Sequence, residues 1–175
     1  GKLLKNMKEV EILINVLDKK AKVLKTLKKF KFLGVKKISD IYFYDPLRNE
    51  LKPSKSGALD RCFRLRQKDK KSLLVYKIDR FDNLKTWLYS DEHEIEVSDF
   101  QTAIEILKQL GFKKLVKIEN KKYTFLTDKY EIVFEDVKNL GLFLEVERLA
   151  VKDKESINKV KKEIRNFIES LDIKL

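Results

Sequence analysis

Apolar and polar positions alternate with a period of two from Lys8 to Leu17, which predicts a β-strand. Val10, Ile12, Ile14 and Val16 fall on one face, and Glu9, Glu11, Leu13 and Asn15 on the other. Asp18 is placed to cap a following helix whose Ala21, Leu24, Leu27 and Phe30 form an apolar stripe, with Gly34 at its expected end. Ile38 to Tyr44 is rich in Ile, Tyr and Phe and predicts a second strand, which Pro46 ends. A loop follows at Pro53 to Gly57.

Strands are predicted next at Arg61 to Gln67, Ser72 to Ile78 and Leu88 to Val97, the first two joined by a turn at Asp69 to Lys71. Ser98 to Gln101 reads as a capping box opening a helix with Ala103, Ile106, Leu107 and Leu110 inward and Gly111 at its close. Leu115 to Leu126 and Lys129 to Val137 form a predicted hairpin turning at Thr127-Asp128. Asn139 to Gly141 turns into the strand Leu142 to Arg148. A last amphipathic helix runs from about Glu155 to Leu171, with Ile157, Val160, Ile164, Phe167 and Leu171 inward. The fold class expected is α+β: about eight short-connected strands, antiparallel and closed into a barrel, with flanking amphipathic helices.

Charge changes this picture at the strands. Glu9/Glu11, Glu94/Glu96 and Glu145/Glu147 are Glu-x-Glu pairs, and Arg64/Arg66 is an Arg-x-Arg pair, each in an alternating run. Both charges of each pair therefore share a face opposite Val, Ile and Leu. A single such pair is more often a solvated outer face. Several in register favour a wet, charged cavity lined by Glu9, Glu11, Glu94, Glu96, Glu135, Glu145 and Glu147 with Arg64, Arg66 and Lys77. Carboxylates crowded together repel and raise one another's pKa unless a hard cation sits among them. Oxygen-only ligands suit Mg2+ or Mn2+, and arginine forks suit phosphate oxygens. A polyphosphate bridged to glutamate-bound metal is the chemical unit this set could hold.

The chain of 175 residues carries a net charge of +12, much of it in Lys19 to Lys37 and Lys152 to Lys162. Lysines on outer helix faces usually mean solvation, and the aromatic residues are not interleaved with them as a stacking platform requires, which disfavours nucleic acid as a partner. No linker divides the chain, so one domain over residues 1–175 is expected. No run is apolar enough to span a bilayer, and no signal-peptide core is visible. One cysteine, Cys62, and one histidine, His93, argue for a reducing cytoplasm and against zinc. His93 reads as a surface residue and Cys62 as a small filler, while Trp87 packs or covers a barrel mouth. Gly1 stands where a starting Met would, with Met7 near the expected natural start.

Glu9-Val-Glu11 resembles the Glu-x-Glu-x-Lys signature of the CYTH superfamily, the triphosphate tunnel metalloenzymes. Asp40-Ile-Tyr-Phe-Tyr-Asp-Pro-Leu47 and Phe63-Arg-Leu-Arg66 resemble the class IV adenylyl cyclase branch, and Val75-Tyr-Lys77, Glu94-Ile-Glu96 and Leu140 to Glu147 continue the series in order. The resemblance implies an eight-stranded tunnel. In it Arg64, Arg66 and Lys77 grip a triphosphate, and Glu9, Glu11, Glu145 and Glu147, helped by Glu94 and Glu96, hold one or two divalent metals. Members hydrolyse inorganic or thiamine triphosphate, or cyclise ATP to cyclic AMP and pyrophosphate; many are homodimers. No catalytic residue is assigned by the resemblance.

The departures are specific. Leu13 replaces the signature lysine, and alignment on Tyr123 puts Ile118 and Asn120 where a Lys-x-Arg pair is usual. Lys122, on the same strand face, is the candidate substitute. Glu135 takes the place of the usual aspartate. Each lost charge-assisted contact costs on the order of 1.5–3 kcal/mol, so a catalytically weakened nucleotide- or polyphosphate-binding module is the alternative to an enzyme.

Overall fold

The computed structural model describes residues 9–152 and 154–175. Lys8 and Met7 lie outside the described residues. The elements are β1 (Glu11–Val16), α1 (Lys20–Leu27), β2 (Lys31–Tyr44), β3 (Arg61–Lys68), β4 (Lys71–Phe81), β5 (Trp87–Val97), α2 (Phe100–Gln109), β6 (Lys113–Leu126), β7 (Tyr130–Val137), β8 (Gly141–Arg148) and α3 (Ile157–Ser170). The expected α+β class and eight antiparallel strands are present, in the order β1-β8-β7-β6-β2-β3-β4-β5. The expected closure is not: β1 and β5 end the order and are not neighbours in it. The edge strand β5 carries Asp91, Glu92, His93, Glu94 and Glu96, a run of charge of the kind that protects an unpaired edge without a further strand.

The chain groups into two compact units, Gly1–Val35 with Lys121–Leu175, and Lys36–Asn120. The first unit packs α1 and α3 on the apolar faces of β1, β7 and β8. Val23 and Leu27 of α1 and Val160, Ile164 and Ile168 of α3 are buried with Val10, Val16, Ile132, Phe134, Leu144 and Val146. Burying each such side chain contributes about 1.5–3 kcal/mol. Tyr130 stacks on Phe167 of α3 at 4.3 Å between ring centroids. The second unit packs α2 on β2 and β3, with Ile41, Phe43, Leu65, Ile104 and Leu107 buried.

Local details correct the sequence reading. α1 buries Val23 rather than Ala21, and it ends at Leu27, so Gly34 lies inside β2 rather than closing the helix. Gly34 has φ +130°, a backbone conformation that a side chain would strain. In α2 the inward residues are Ile104 and Leu107, while Ile106 and Leu110 are 54% and 68% exposed. The cap is Asp99, one residue later than Ser98: its Oδ1 accepts the Thr102 amide at 2.6 Å. The β6–β7 turn is as expected, closed by the Thr127 amide donating to the Tyr130 carbonyl at 2.9 Å.

Candidate functional site

Burial of Val10, Ile12, Ile14 and Val16 against the helices turns Glu9, Glu11, Leu13 and Asn15 to the other face of the first unit's sheet. β8 does the same, burying Leu144 and Val146 and leaving Glu145 and Glu147 opposite. Antiparallel register then sets Glu11 directly across from Glu147, and Glu147 directly across from Glu131 of β7. Three glutamates form one row over three strands. In the next row, Glu145 stands between Leu13 and Val133. Directly opposed like charges are destabilising by themselves.

The electrostatic consequence falls on Glu147. Burial first, and then the negative charges of Glu9, Glu11, Glu131 and Glu145, push its carboxyl up to about 7. Glu131 was not singled out from the sequence, although it shares the parity of Glu135 on the predicted β7; only the β7–β8 register puts it beside Glu147. The donor set, all carboxylate oxygen and mutually repelling, fits a divalent hard cation that would relieve the repulsion. The side chains do not already converge as a cage: among the described residues no group of three or more His, Cys, Asp or Glu is arranged to hold a metal ion.

Glu135 and Lys122, expected at metal and triphosphate respectively, are instead ion-paired with each other at 2.9 Å, with side chains only 9% and 22% exposed. Lys122 and Glu135 therefore serve as each other's counterion. Asp136, on the opposite face of β7, holds Lys20 of α1 at 2.7 Å.

The second unit presents a basic face by the same logic. Leu65 is fully buried against α2, so Arg64 and Arg66 project from the other side of β3. Their cross-strand neighbours on β2 are Tyr42 and Asp40. Arg66 donates Nε and Nη2 to the two oxygens of Asp40 at 2.8 and 2.9 Å. Arg64 donates Nη1 to the Tyr42 hydroxyl at 3.2 Å, and its Nη2 stands 3.8 Å from Glu92. The Arg64 Nε is buried and has no hydrogen-bond partner among the described residues. Lys77 is across from Cys62 on one side and Glu92 on the other. Burial pushes the Cys62 thiol up to about 11, which keeps it protonated and makes it a poor nucleophile.

Glu94 and Glu96 belong to this basic unit, across β4 from the arginines through Val75 and Leu73. Glu96 is ion-paired with Lys71 at 3.0 Å on the surface. Both line a pocket of about 490 Å3 with Lys36, Lys68 and Lys71. The seven glutamates expected together thus divide, with Glu9, Glu11, Glu135, Glu145 and Glu147 in the first unit and Glu94 and Glu96 in the second. Trp87 is tied down locally, its indole N–H 3.3 Å from both Asp79 and Ser90.

A family model described as the CYTH domain matches residues 7–174. The chain belongs to the CYTH family. A protein of Methanocaldococcus jannaschii named "Putative adenylate cyclase" is 31% identical over 169 residues, spanning 95% of this CYTH chain and 91% of that protein. A solved structure from Pyrococcus horikoshii has a TM-score of 0.75 at 24% identity, covering 95% of this chain and 91% of that one. Another, described as an adenylate cyclase candidate of Vibrio parahaemolyticus, has a TM-score of 0.70 at 13% identity, covering 96% and 90%. These two structures share the CYTH fold with the chain. No helix among the described residues is long and apolar enough to cross a membrane.

Proposed function

We propose that this CYTH protein is a cytoplasmic, divalent-metal-dependent enzyme acting on a triphosphate, and that its two units work as one functional domain. The reaction is either class IV adenylyl cyclase-like conversion of ATP to cyclic AMP and pyrophosphate, or hydrolysis of an organic or inorganic triphosphate. The observation that carries the reading is the row Glu11–Glu147–Glu131, flanked by Glu9 and Glu145, where burial and the neighbouring glutamates push the Glu147 carboxyl up to about 7 and a divalent cation would relieve the repulsion.

Glu11, Glu145 and Glu147, with Glu9 and Glu131 beside them, are the residues that would hold Mg2+ or Mn2+; once bound, such an ion polarises phosphoryl oxygens and neutralises charge on them. Arg64 and Lys77 supply cationic contacts for phosphate oxygens, with Arg66 beside them. Lys122 steadies Glu135, and Glu94 and Glu96 temper the basic face. The chemistry asked of the chain is positioning and charge neutralisation, which needs no side-chain nucleophile and agrees with the protonated state of Cys62. Incubating the purified chain with ATP, thiamine triphosphate or tripolyphosphate and either metal tests this reading. Metal-dependent release of cyclic AMP, pyrophosphate or phosphate is expected, and no turnover on any of the three removes the enzyme claim.

One observation favours a second reading, a binding module with weakened catalysis. Leu13, 58% exposed, occupies the position across from Glu145 where a cation would be expected. Lys122 and Arg66 are moreover tied to carboxylates of the chain itself. Calorimetry separates the readings, because tight tripolyphosphate binding without product identifies the module.

A further inference from the structure

Arg64 and Arg66 are two residues apart on one strand and face the same way, yet their surroundings differ. Asp40, only 6% exposed, accepts both Nε and Nη2 of Arg66. A buried, bidentate guanidinium–carboxylate pair is self-satisfied and has no net charge. Tyr42, the corresponding neighbour of Arg64, is an uncharged acceptor: burial raises its phenol pKa above the ordinary value. Arg64 makes only a looser ion pair, its Nη2 standing 3.8 Å from Glu92, beyond hydrogen-bond reach. Arg64 is thus paired with a carboxylate only at this longer range, and its buried Nε has no hydrogen-bond acceptor among the described residues. An unfilled charge-assisted donor in a buried position is costly in the free protein and favourable once an oxyanion reaches it.

We infer that β2 makes the two arginines unequal: through Tyr42 it presents Arg64 as the direct contact to a phosphate oxyanion, and through Asp40 it holds Arg66 in a neutral pair that lends the site no net charge and makes no phosphate contact. This rests on the triphosphate reading above and deepens it. Alternate residues of one strand thereby choose which of two adjacent forks meets the substrate.

The test is calorimetric binding of tripolyphosphate to the whole chain. Arg64→Gln weakens binding by roughly tenfold or more, the worth of one charge-assisted contact. The double variant Asp40→Asn with Arg66→Gln removes a neutral pair together and stays within about threefold of the parent. A double variant that loses as much as Arg64→Gln overturns the inference while leaving the triphosphate reading intact. A parent chain that binds no tripolyphosphate takes both down. Should the double variant fail to fold, nuclear magnetic resonance of the parent chain with isotope-labelled arginine decides the matter. Tripolyphosphate then shifts the Arg64 Nε–H signal and leaves that of Arg66 in place; equal shifts at both, or a shift at Arg66 alone, overturn the inference.

Discussion

Glu147 lies directly across from Glu11 in the β1–β8 register, on the face of the two strands that points away from the helices. Nothing about fold stability asks for this pair. Opposed like charges on neighbouring strands oppose folding, and here Glu131 extends the same row. A sequence that spends stability in this way has placed charge for a purpose, and each consequence of that placement can be measured.

The first consequence is a pH dependence of stability. The folded-state pKa of Glu147, about 7, is raised above its ordinary 4.5. The folded chain therefore holds a proton that the unfolded chain has released, and stability falls as pH rises from 4.5 toward 7. Because Glu147 is partly exposed, solvent screening reduces the effect to on the order of 1 kcal/mol. Thermal melting of Glu147→Gln beside the parent checks it. The variant is expected to be the more stable at pH 8, and the gap to close below pH 4.5.

Leu13 is the second handle. A lysine there would stand across from Glu145, and a cross-strand pair of opposite charge contributes about 0.2–1 kcal/mol. Leu13→Lys is expected to raise the melting temperature slightly at pH 8. It should also tighten tripolyphosphate binding by roughly tenfold, as one added charge-assisted contact would. Unchanged affinity would mean that this face is not where the phosphate binds.

In the pair Lys122–Glu135 the carboxylate is buried and the lysine half-buried, so losing one partner is expected to cost more than losing both. Lys122→Met takes the lysine from a buried carboxylate and should cost about 1–3 kcal/mol, whereas Lys122→Met with Glu135→Leu should recover most of that loss. Urea denaturation of the two variants measures the difference. Equal losses would show that the pair is not a closed unit.

Much of this was legible in the chain. The alternation of Glu9, Glu11, Glu145 and Glu147 with Val and Ile required no tertiary information, because a strand that buries one parity exposes the other. The same logic found Arg64 and Arg66. What it could not supply was register. Glu131 and Glu135 share a parity, and only pairing with β8 sets Glu131 beside Glu147 while Glu135 meets Phe143. Asp40 and Tyr42 were visible as part of a family-like segment, but their hold on the two arginines follows from the β2–β3 pairing. The inward face of α2 was not legible locally: packing against β2 and β3 selects Ile104 and Leu107 and leaves Ile106 and Leu110 exposed. Closure of the barrel was inferred from the need to hide edges, and charge along β5 meets that need in another way.

The divalent-cation site proposed above is the Glu11–Glu147–Glu131 row with Glu145. Titrating Mn2+ into the metal-free chain by calorimetry at pH 7, in buffers of different ionisation enthalpy, addresses it most directly. Saturable binding accompanied by proton release is expected, since Glu147 is partly protonated at that pH, with loss of both in Glu145→Gln with Glu147→Gln. Absence of binding by the parent, or unchanged affinity in the double variant, would contradict it.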